Sequence, residues 1–163
     1  MSVQLLLFHY IRGYNKDIDV SRVTIEVLME VKLYKNQIED NLLEFAVIIA
    51  RYQNKWIFCR HKERTTYEIP GGHREAGESI IDAAKRELIE ETGAVEFVLD
   101  WLCDYSVQSN NKINYGRVFI ADVIQIGVLP DLEIAEIRIT EELPQNWTYP
   151  DIQKKFIEYY RNK

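Results

Sequence analysis

Residues 72–94 of this 163-residue chain are GHREAGESIIDAAKRELIEETGA, and the second half of this stretch has the period of an amphipathic helix. Its apolar positions recur every three or four residues, which places them on one helix face: they are Ile80, Ala83, Ala84 and Leu88. Ser79, with Asp82 three positions later, resembles a capping box, and Gly93 supplies a stop signal. The sequence therefore predicts a helix over residues 79–92, preceded by a glycine-containing loop.

Three acidic residues of this helix share one side. Glu87, Glu90 and Glu91 lie at positions i, i+3 and i+4, so their carboxylates project together. Crowded carboxylates repel and destabilise an isolated helix, and a divalent cation removes that cost because Mg²⁺ and Mn²⁺ prefer carboxylate oxygens. Taken alone, such a patch is more common on a solvated helix, where Arg86 would pair with Glu90 or Asp82.

The wider spacing resembles the Nudix box, G-x5-E-x7-R-E-U-x-E-E-x-G-U, in which U is a bulky aliphatic residue. Seven fixed positions match, and Leu88 fills the first U; the seven are Gly72, Glu78, Arg86, Glu87, Glu90, Glu91 and Gly93. With each residue type at roughly one in fifteen, this match arises by chance about once in 10⁸ windows. Ala94 at the last U is the one departure, expected to loosen packing after the helix. The preceding Tyr67-Glu68-Ile69-Pro70-Gly71 is similar to a lead-in common in the family.

The rest of the chain alternates between strand-like and polar segments. Strands are predicted at residues 43–50, 55–60, 95–102, 115–124 and 134–139, with a turn at residues 53–54 and a polar loop at residues 61–66. Pro70 and the two glycines after it predict irregular backbone. A last helix is expected to begin at Pro150, with Thr148 and Asp151 as cap candidates. This order indicates an α/β or α+β layered domain, and the resemblance implies an α/β/α sandwich with a central mixed β-sheet.

Residues 29–163 are interpreted as one Nudix hydrolase domain, and residues 1–28 as an N-terminal extension of uncertain status. Two alternatives stand for the extension: residues 22–27 form an extra strand, or Met29 is the physiological start.

Composition and charge narrow the class of protein. Hydrophobic residues make up 47 % and charged residues 28 %, as in a soluble domain with a core. The net charge of −6 disfavours binding to long nucleic acid, whereas a small anionic substrate is compatible because a bound cation reverses the local field. There is no apolar run of about 18 residues and no convincing signal peptide. We therefore expect a cytoplasmic protein with no membrane span, in which Cys59 and Cys103 are buried free thiols.

The resemblance implies roles for the matched residues. Glu87, Glu90 and Glu91 bind the metal, Mg²⁺ with Mn²⁺ as a substitute, together with a backbone carbonyl of Gly71 or Gly72. Water then attacks a phosphorus of a diphosphate bridge. Glu87 and Glu90 are both candidates for the general base, because coupled carboxylates titrate as a group.

Glu78 and Arg86 resemble the ion pair that ties the loop to the helix and orients the ligands. A further acid from outside the box is expected at Glu133 or Glu136, with Glu136 preferred because it opens a strand. Basic residues that bracket the glycine loop are candidates to hold phosphates: Arg60, Lys62, Arg64 and Arg74. Candidates to stack on or bond a base, for which core packing is the more common role, are Tyr67, Tyr115 and Arg117. His61 and His73 flank the site without a ligand spacing.

The leading hypothesis is hydrolysis of a nucleoside diphosphate derivative, most simply a canonical or oxidised nucleoside triphosphate. The tyrosine-rich ends leave a homodimer open. The alternative is a non-catalytic nucleotide-sensing or protein-binding module, but such domains usually lose one of the glutamates that are all present here. An isomerase of prenyl diphosphates is a third reading, for which no cysteine-and-glutamate pattern is found.

Overall fold

The computed structural model describes residues 29–109 and 112–163, so the predictions for residues 1–28 lie outside it. Within these two ranges, the chain forms seven strands and two α-helices: β1 Met29–Tyr34, β2 Leu43–Tyr52, β3 Lys55–His61, β4 Gly71–His73, α1 Ile80–Thr92, β5 Ala94–Ser109, β6 Lys112–Ile126, β7 Ile134–Thr140 and α2 Pro150–Arg161. A short 3-10 helix, Asp40–Leu42, precedes β2. In this described part, neither helix is long and apolar enough to cross a membrane.

The strands form one mixed sheet. Their order is β1-β5-β6-β2-β3-β7, and β4 pairs with β2 beside this path. The β2 and β6 strands are parallel, whereas the other neighbours are antiparallel. Successive side chains of a strand point to opposite faces, so Ala46 and Ile48 of β2 pack into one core and Phe45 and Ile49 into another.

Each core is closed by one helix. The first core contains the four apolar residues predicted for α1, each at most 1 % exposed: Ile80, Ala83, Ala84 and Leu88. The second contains Phe156 and Ile157 of α2, and the ring of Phe156 lies 4.7 Å from that of Tyr105. The α/β/α sandwich with a central mixed sheet is thereby confirmed.

The α1 helix begins and ends as the sequence predicts. The Ser79 hydroxyl accepts a hydrogen bond from the backbone N–H of Asp82 at 3.2 Å and donates one to the Asp82 carboxylate at 2.6 Å. Gly93 has a φ of 71°, the left-handed conformation that ends many helices. Ala94 then opens β5 and is buried in the first core.

Two local predictions were wrong: the cap residues of α2, and the irregular backbone after Pro70. The α2 helix begins at Pro150, but its N-cap residue is Tyr149, with no side-chain cap hydrogen bond. The hydroxyl of Thr148, a cap candidate, bonds to that of Thr66 at 2.8 Å instead, and Asp151 already lies inside the helix.

The segment after Pro70 is a strand rather than irregular backbone. Gly71–His73 form β4 because they pair antiparallel with Phe45–Val47 of β2. A Cβ on Gly71 would lie 2.4 Å from the carbonyl oxygen of Ala46. Glycine therefore permits the close approach of the two strands.

Gly116 of β6 gives a test of the second core. It lies opposite Tyr105 in the β5–β6 register, and a Cβ there would be 2.4 Å from Tyr105 Cζ. We expect Gly116→Ala to lower the free energy of unfolding by about 1–3 kcal/mol through overpacking, measured as a lower Tm and denaturant midpoint. In a Tyr105→Leu background the same change should lower stability far less. Equal losses in both backgrounds would show that the ring is not the obstacle.

Candidate active site

A cavity of about 1000 Å³, counted to its open mouth, lies beside β2. One edge of β2 has two partners in succession, because Phe45–Val47 pair with β4 and Ala50–Tyr52 pair with β3. The cavity lining has a polar group of residues: Arg64, Glu68, Gly71, Gly72, Glu87 and Glu91. It also has an apolar group: Phe45, Val47, Tyr105, Val107, Ile152 and Phe156. One pocket thus joins the glycine strand and the acidic helix to a wall of apolar and aromatic side chains.

Arg86 ties the loop to α1 through a fork of hydrogen bonds. Its Nε lies 2.9 Å from Glu78 Oε1, and its Nη2 lies 3.0 Å from Glu78 Oε2. Nη2 also donates to the backbone carbonyl of His73 at 3.0 Å. The hydrogen bonds from Arg86 lower the pKa of Glu78. The ion pair that the resemblance implied is present, and it fixes the start of the loop against the helix.

The three acids of α1 differ in their surroundings. Glu87 is 9 % exposed and accepts a hydrogen bond from Arg86 Nη1 at 2.7 Å, whereas the Glu90 carboxylate lies 3.5 Å from the same nitrogen. Glu91 Oε2 accepts a hydrogen bond from the backbone N–H of Gly71 at 2.8 Å. A Cβ on Gly72 would lie 2.2 Å from Glu87 Oε1, so a larger residue at position 72 would force this carboxylate to move.

These acids suit a hard divalent cation by their chemistry. Burial raises the pKa of Glu87 and of Glu91, and the repulsion from Glu87 adds to the shift of Glu91. A cation would stabilise the ionised forms that burial disfavours. Among the described residues, no three His, Cys, Asp or Glu side chains converge closely enough to hold a metal, since Arg86 and the Gly71 amide engage these carboxylates. The residues therefore fit a divalent cation by the chemistry of their carboxylate oxygens.

Glu68 lines the cavity, although no role was predicted for it. It is 8 % exposed, and both of its oxygens accept hydrogen bonds from Arg64 Nη1, at 3.0 and 2.9 Å. Burial raises the pKa of Glu68. The available signal was alternation, because Tyr67 and Ile69 pack into the second core and the residue between them must face the other way.

Of the predicted phosphate-binding residues, the structure brings Arg64 to the cavity but not Arg60, Lys62 or Arg74. Arg60 Nε pairs with Glu136 at 3.0 Å, and Lys62 pairs with Asp131 at 2.5 Å. Arg74 Nη1 donates to the backbone carbonyl of Asp40 at 2.7 Å. Charge near the loop in sequence was a weak guide because each of these side chains finds a nearer acceptor.

The base-contact candidates also lie elsewhere. Tyr67 is packed in the second core, and its hydroxyl donates to Glu136. Arg117 is buried and pairs with Asp104, with Nε 2.7 Å from Oδ1. Tyr115 packs against the first core. Tyr67 and Tyr115 therefore serve core packing, the more common role for such residues, whereas Arg117 forms a buried ion pair.

The structure places Glu133, rather than the preferred Glu136, at the cavity. Glu133 Oε2 lies 3.3 Å from Nε2 of His61, which also lines the cavity. The Nδ1 of His61 accepts a hydrogen bond from the backbone N–H of Glu63 at 3.2 Å, so the neutral ring carries its proton on Nε2 and donates it toward Glu133.

Both cysteines are buried and free, as predicted. Burial raises the pKa of the Cys59 thiol, and burial raises that of Cys103 to about 12. Cys59 Sγ lies 3.5 Å from Glu91 Oε2. The thiol thus contacts the acidic helix from within the protein and does not line the cavity.

Comparison with known proteins agrees with this geometry. A family model described as NUDIX domain matches residues 41–160. YtkD of Bacillus subtilis (strain 168), named as a proposed 8-oxo-dGTP diphosphatase, is 35 % identical over 100 residues, which cover 61 % of this chain and 63 % of that protein.

Solved structures give the same picture. A mutant of the Bacillus subtilis pyrophosphohydrolase BsRppH superposes with a TM-score of 0.70 at 26 % identity, over 81 % of this chain and 90 % of that one. The NUDIX domain of Shewanella oneidensis NrtR, crystallised with ADP ribose, superposes with a TM-score of 0.58 at 14 % identity, over 95 % and 96 % of the two chains. The latter shows a shared fold alone.

Proposed function

Because this chain belongs to the NUDIX domain family, we propose that it is a divalent-metal-dependent hydrolase that cleaves the diphosphate linkage of a nucleoside diphosphate derivative. The substrate that we propose is a canonical or oxidised nucleoside triphosphate. The observation that carries the proposal is the complete acidic set of α1, with buried Glu87 and partly buried Glu91 at the cavity and Arg86 joined to Glu78. We also take residues 29–163 as the domain, since β1 pairs with β5 along its whole length.

Two relatives support this substrate class. The name of YtkD refers to 8-oxo-dGTP, and BsRppH is called a pyrophosphohydrolase. Small-molecule sites have mostly apolar walls with a few polar groups. The cavity beside β2 has this character, because Phe45, Tyr105 and Phe156 offer apolar surface for a base and Arg64 offers positive charge for phosphates.

Four groups would hold the cation: the carboxylates of Glu87, Glu90 and Glu91 and the backbone carbonyl of Gly72. We propose Mg²⁺, with Mn²⁺ as a substitute, because both favour oxygen ligands. When bound, the cation neutralises phosphate oxygens and lowers the pKa of a bound water.

The protein groups position the reactants and accept a proton. Arg86, through Glu78 and the His73 carbonyl, keeps the glycine strand and α1 in register. The carboxylate that accepts the proton of the attacking water is assigned to Glu87 or Glu90, which act as a coupled group. Glu133, held by His61, replaces Glu136 as the proposed acid from outside the box.

A product-release assay tests the proposal. The panel contains canonical and oxidised nucleoside triphosphates, dinucleoside polyphosphates, ADP-ribose and other nucleotide sugars, each with Mg²⁺, Mn²⁺ or EDTA. We expect release of pyrophosphate or phosphate from at least one nucleotide, at least about 100-fold slower in EDTA and restored by excess Mg²⁺. Release that persists in EDTA would contradict metal dependence. A folded protein that binds nucleotides but turns over none of the panel would support the sensing-module alternative instead.

A further inference from the structure

One polar atom of a cavity-lining residue has no hydrogen-bond partner in the part of the chain that the structure describes. Asn114, near the start of β6, lines the cavity, and its side-chain oxygen Oδ1 is buried with no hydrogen-bond donor among the described residues. Asn114 lies opposite Val107 of β5, which also lines the cavity. A buried acceptor without a donor is rare in native proteins and unfavourable, so it needs an explanation.

The other carboxamide of the wall shows the usual arrangement. Gln153 Oε1 accepts a hydrogen bond from the backbone N–H of Ile69 at 2.9 Å, and its Nε2 donates to the Ile69 carbonyl at 3.4 Å. Gln153 is thus committed to the protein backbone, whereas Asn114 retains an acceptor for a ligand. The polar selectivity of this part of the wall therefore depends on Asn114.

The surroundings of Asn114 indicate which part of a nucleotide reaches it. Its neighbours in the wall include Val107 and the ring of Tyr105, whose strand pairs with β6. Apolar and aromatic walls suit a planar base, whereas the carboxylates of α1 repel the phosphates unless a cation lies between them. A base edge that carries an N–H group would supply the donor that Asn114 Oδ1 lacks.

We propose that Asn114 is a specificity-determining residue that accepts a hydrogen bond from an N–H group on the edge of a purine base. This proposal rests on the proposed function. The carboxamide of an asparagine can accept and donate side by side, which matches a purine edge with an adjacent donor and acceptor. Guanine, with N1–H beside O6, has such an edge. Unsubstituted purine has no N–H on its pyrimidine ring and no exocyclic amine.

The test compares guanosine triphosphate with purine riboside triphosphate. For the wild-type protein we expect kcat/KM to favour guanosine by about 10- to 100-fold, the usual size of a specific base contact. Asn114→Leu removes the acceptor at similar volume, and it should bring this ratio close to one through a loss on guanosine alone. Asn114→Ala, which also lacks a side-chain acceptor, serves as a second variant if the leucine form does not fold. Retention of the wild-type ratio by a folded variant overturns the proposal.

The control is Gln125→Leu, which removes an exposed carboxamide from the same strand outside the cavity and should leave the ratio unchanged. Calorimetric binding of guanosine and purine riboside monophosphates separates this inference from the proposed function. If the wild type turns over neither triphosphate, guanosine triphosphate is excluded as a substrate, the panel above decides the hydrolase proposal, and the ratio of the two dissociation constants in wild type and Asn114→Leu decides the role of Asn114. A wild-type protein that binds neither monophosphate, or binds both equally, overturns it.

Discussion

Glu90→Gln is expected to lower kcat by about 10²- to 10⁴-fold, the usual contribution of a positioned general base, with little change in stability. The Glu90 side chain is 39 % exposed, and its one ion pair with another described residue, Arg86, has an N···O distance of 3.5 Å. Glutamine has nearly the same shape as glutamate, so the substitution should leave the stability of α1 unchanged. Glu90 is a cleaner probe than Glu87, because Glu87 is buried against Gly72 and Arg86. The measurement is steady-state turnover with a metal titration, alongside the Tm.

The metal titration separates two roles for Glu90. A loss that persists at saturating Mg²⁺ assigns it to proton transfer, whereas a loss that excess Mg²⁺ recovers assigns it to metal binding. Glu75→Gln is the matched control, since it removes an exposed charge from the same loop-and-helix stretch. Turnover of Glu90→Gln within a fewfold of wild type would exclude both roles.

Arg86→Ala is expected to reduce both activity and stability. The guanidinium is 23 % exposed and contacts three acids, Glu78, Glu87 and Glu90, as well as the His73 carbonyl. Its loss removes the ion-pair partner of all three acids, at about 1–3 kcal/mol of unfolding free energy. Loss of a group that orients ligands typically lowers activity by about 10- to 100-fold.

Lys85→Ala provides the control on the adjacent position of α1. Lys85 is exposed and makes only a 3.7 Å ion pair with Asp82, so both the Tm and kcat/KM should stay close to wild type. Arg86→Lys keeps the charge but not the fork, and we expect it to recover less than the full loss. An Arg86→Ala protein with wild-type turnover would show that the loop holds its position without this ion pair.

The sequence predicted the parts of the structure that depend on local chemistry. The helix of residues 80–92 was recognisable because Ser79, Asp82 and Gly93 act on the backbone within a few residues of themselves. Its buried face followed from the spacing of Ala83, Ala84 and their neighbours. The Glu78–Arg86 pair came from a family resemblance, and the structure contains it.

The parts of the structure that depend on long-range pairing could not be predicted in the same way. Gly71–His73 became a strand because β2 offered an edge, which no local rule anticipates. Arg117 was attractive as a base contact only while its partner Asp104, on another strand, was unknown. Asn114 was unremarkable in sequence, since the lack of a donor for its oxygen is a property of the assembled wall.

The parallel pairing of β2 with β6 has a consequence for how the chain reaches its native state. Ile48 of β2 lies beside Phe119 of β6, and Phe58 of β3 lies beside Arg138 of β7, so both pairs join residues that are far apart in the chain. On a ribosome, the apolar strand β2 therefore emerges long before the strand that will cover one of its edges. Topologies dominated by such distant pairings fold on the order of milliseconds to seconds. In the interval, an unpaired apolar edge is open to association with other chains, so association competes with folding until β6 has been made.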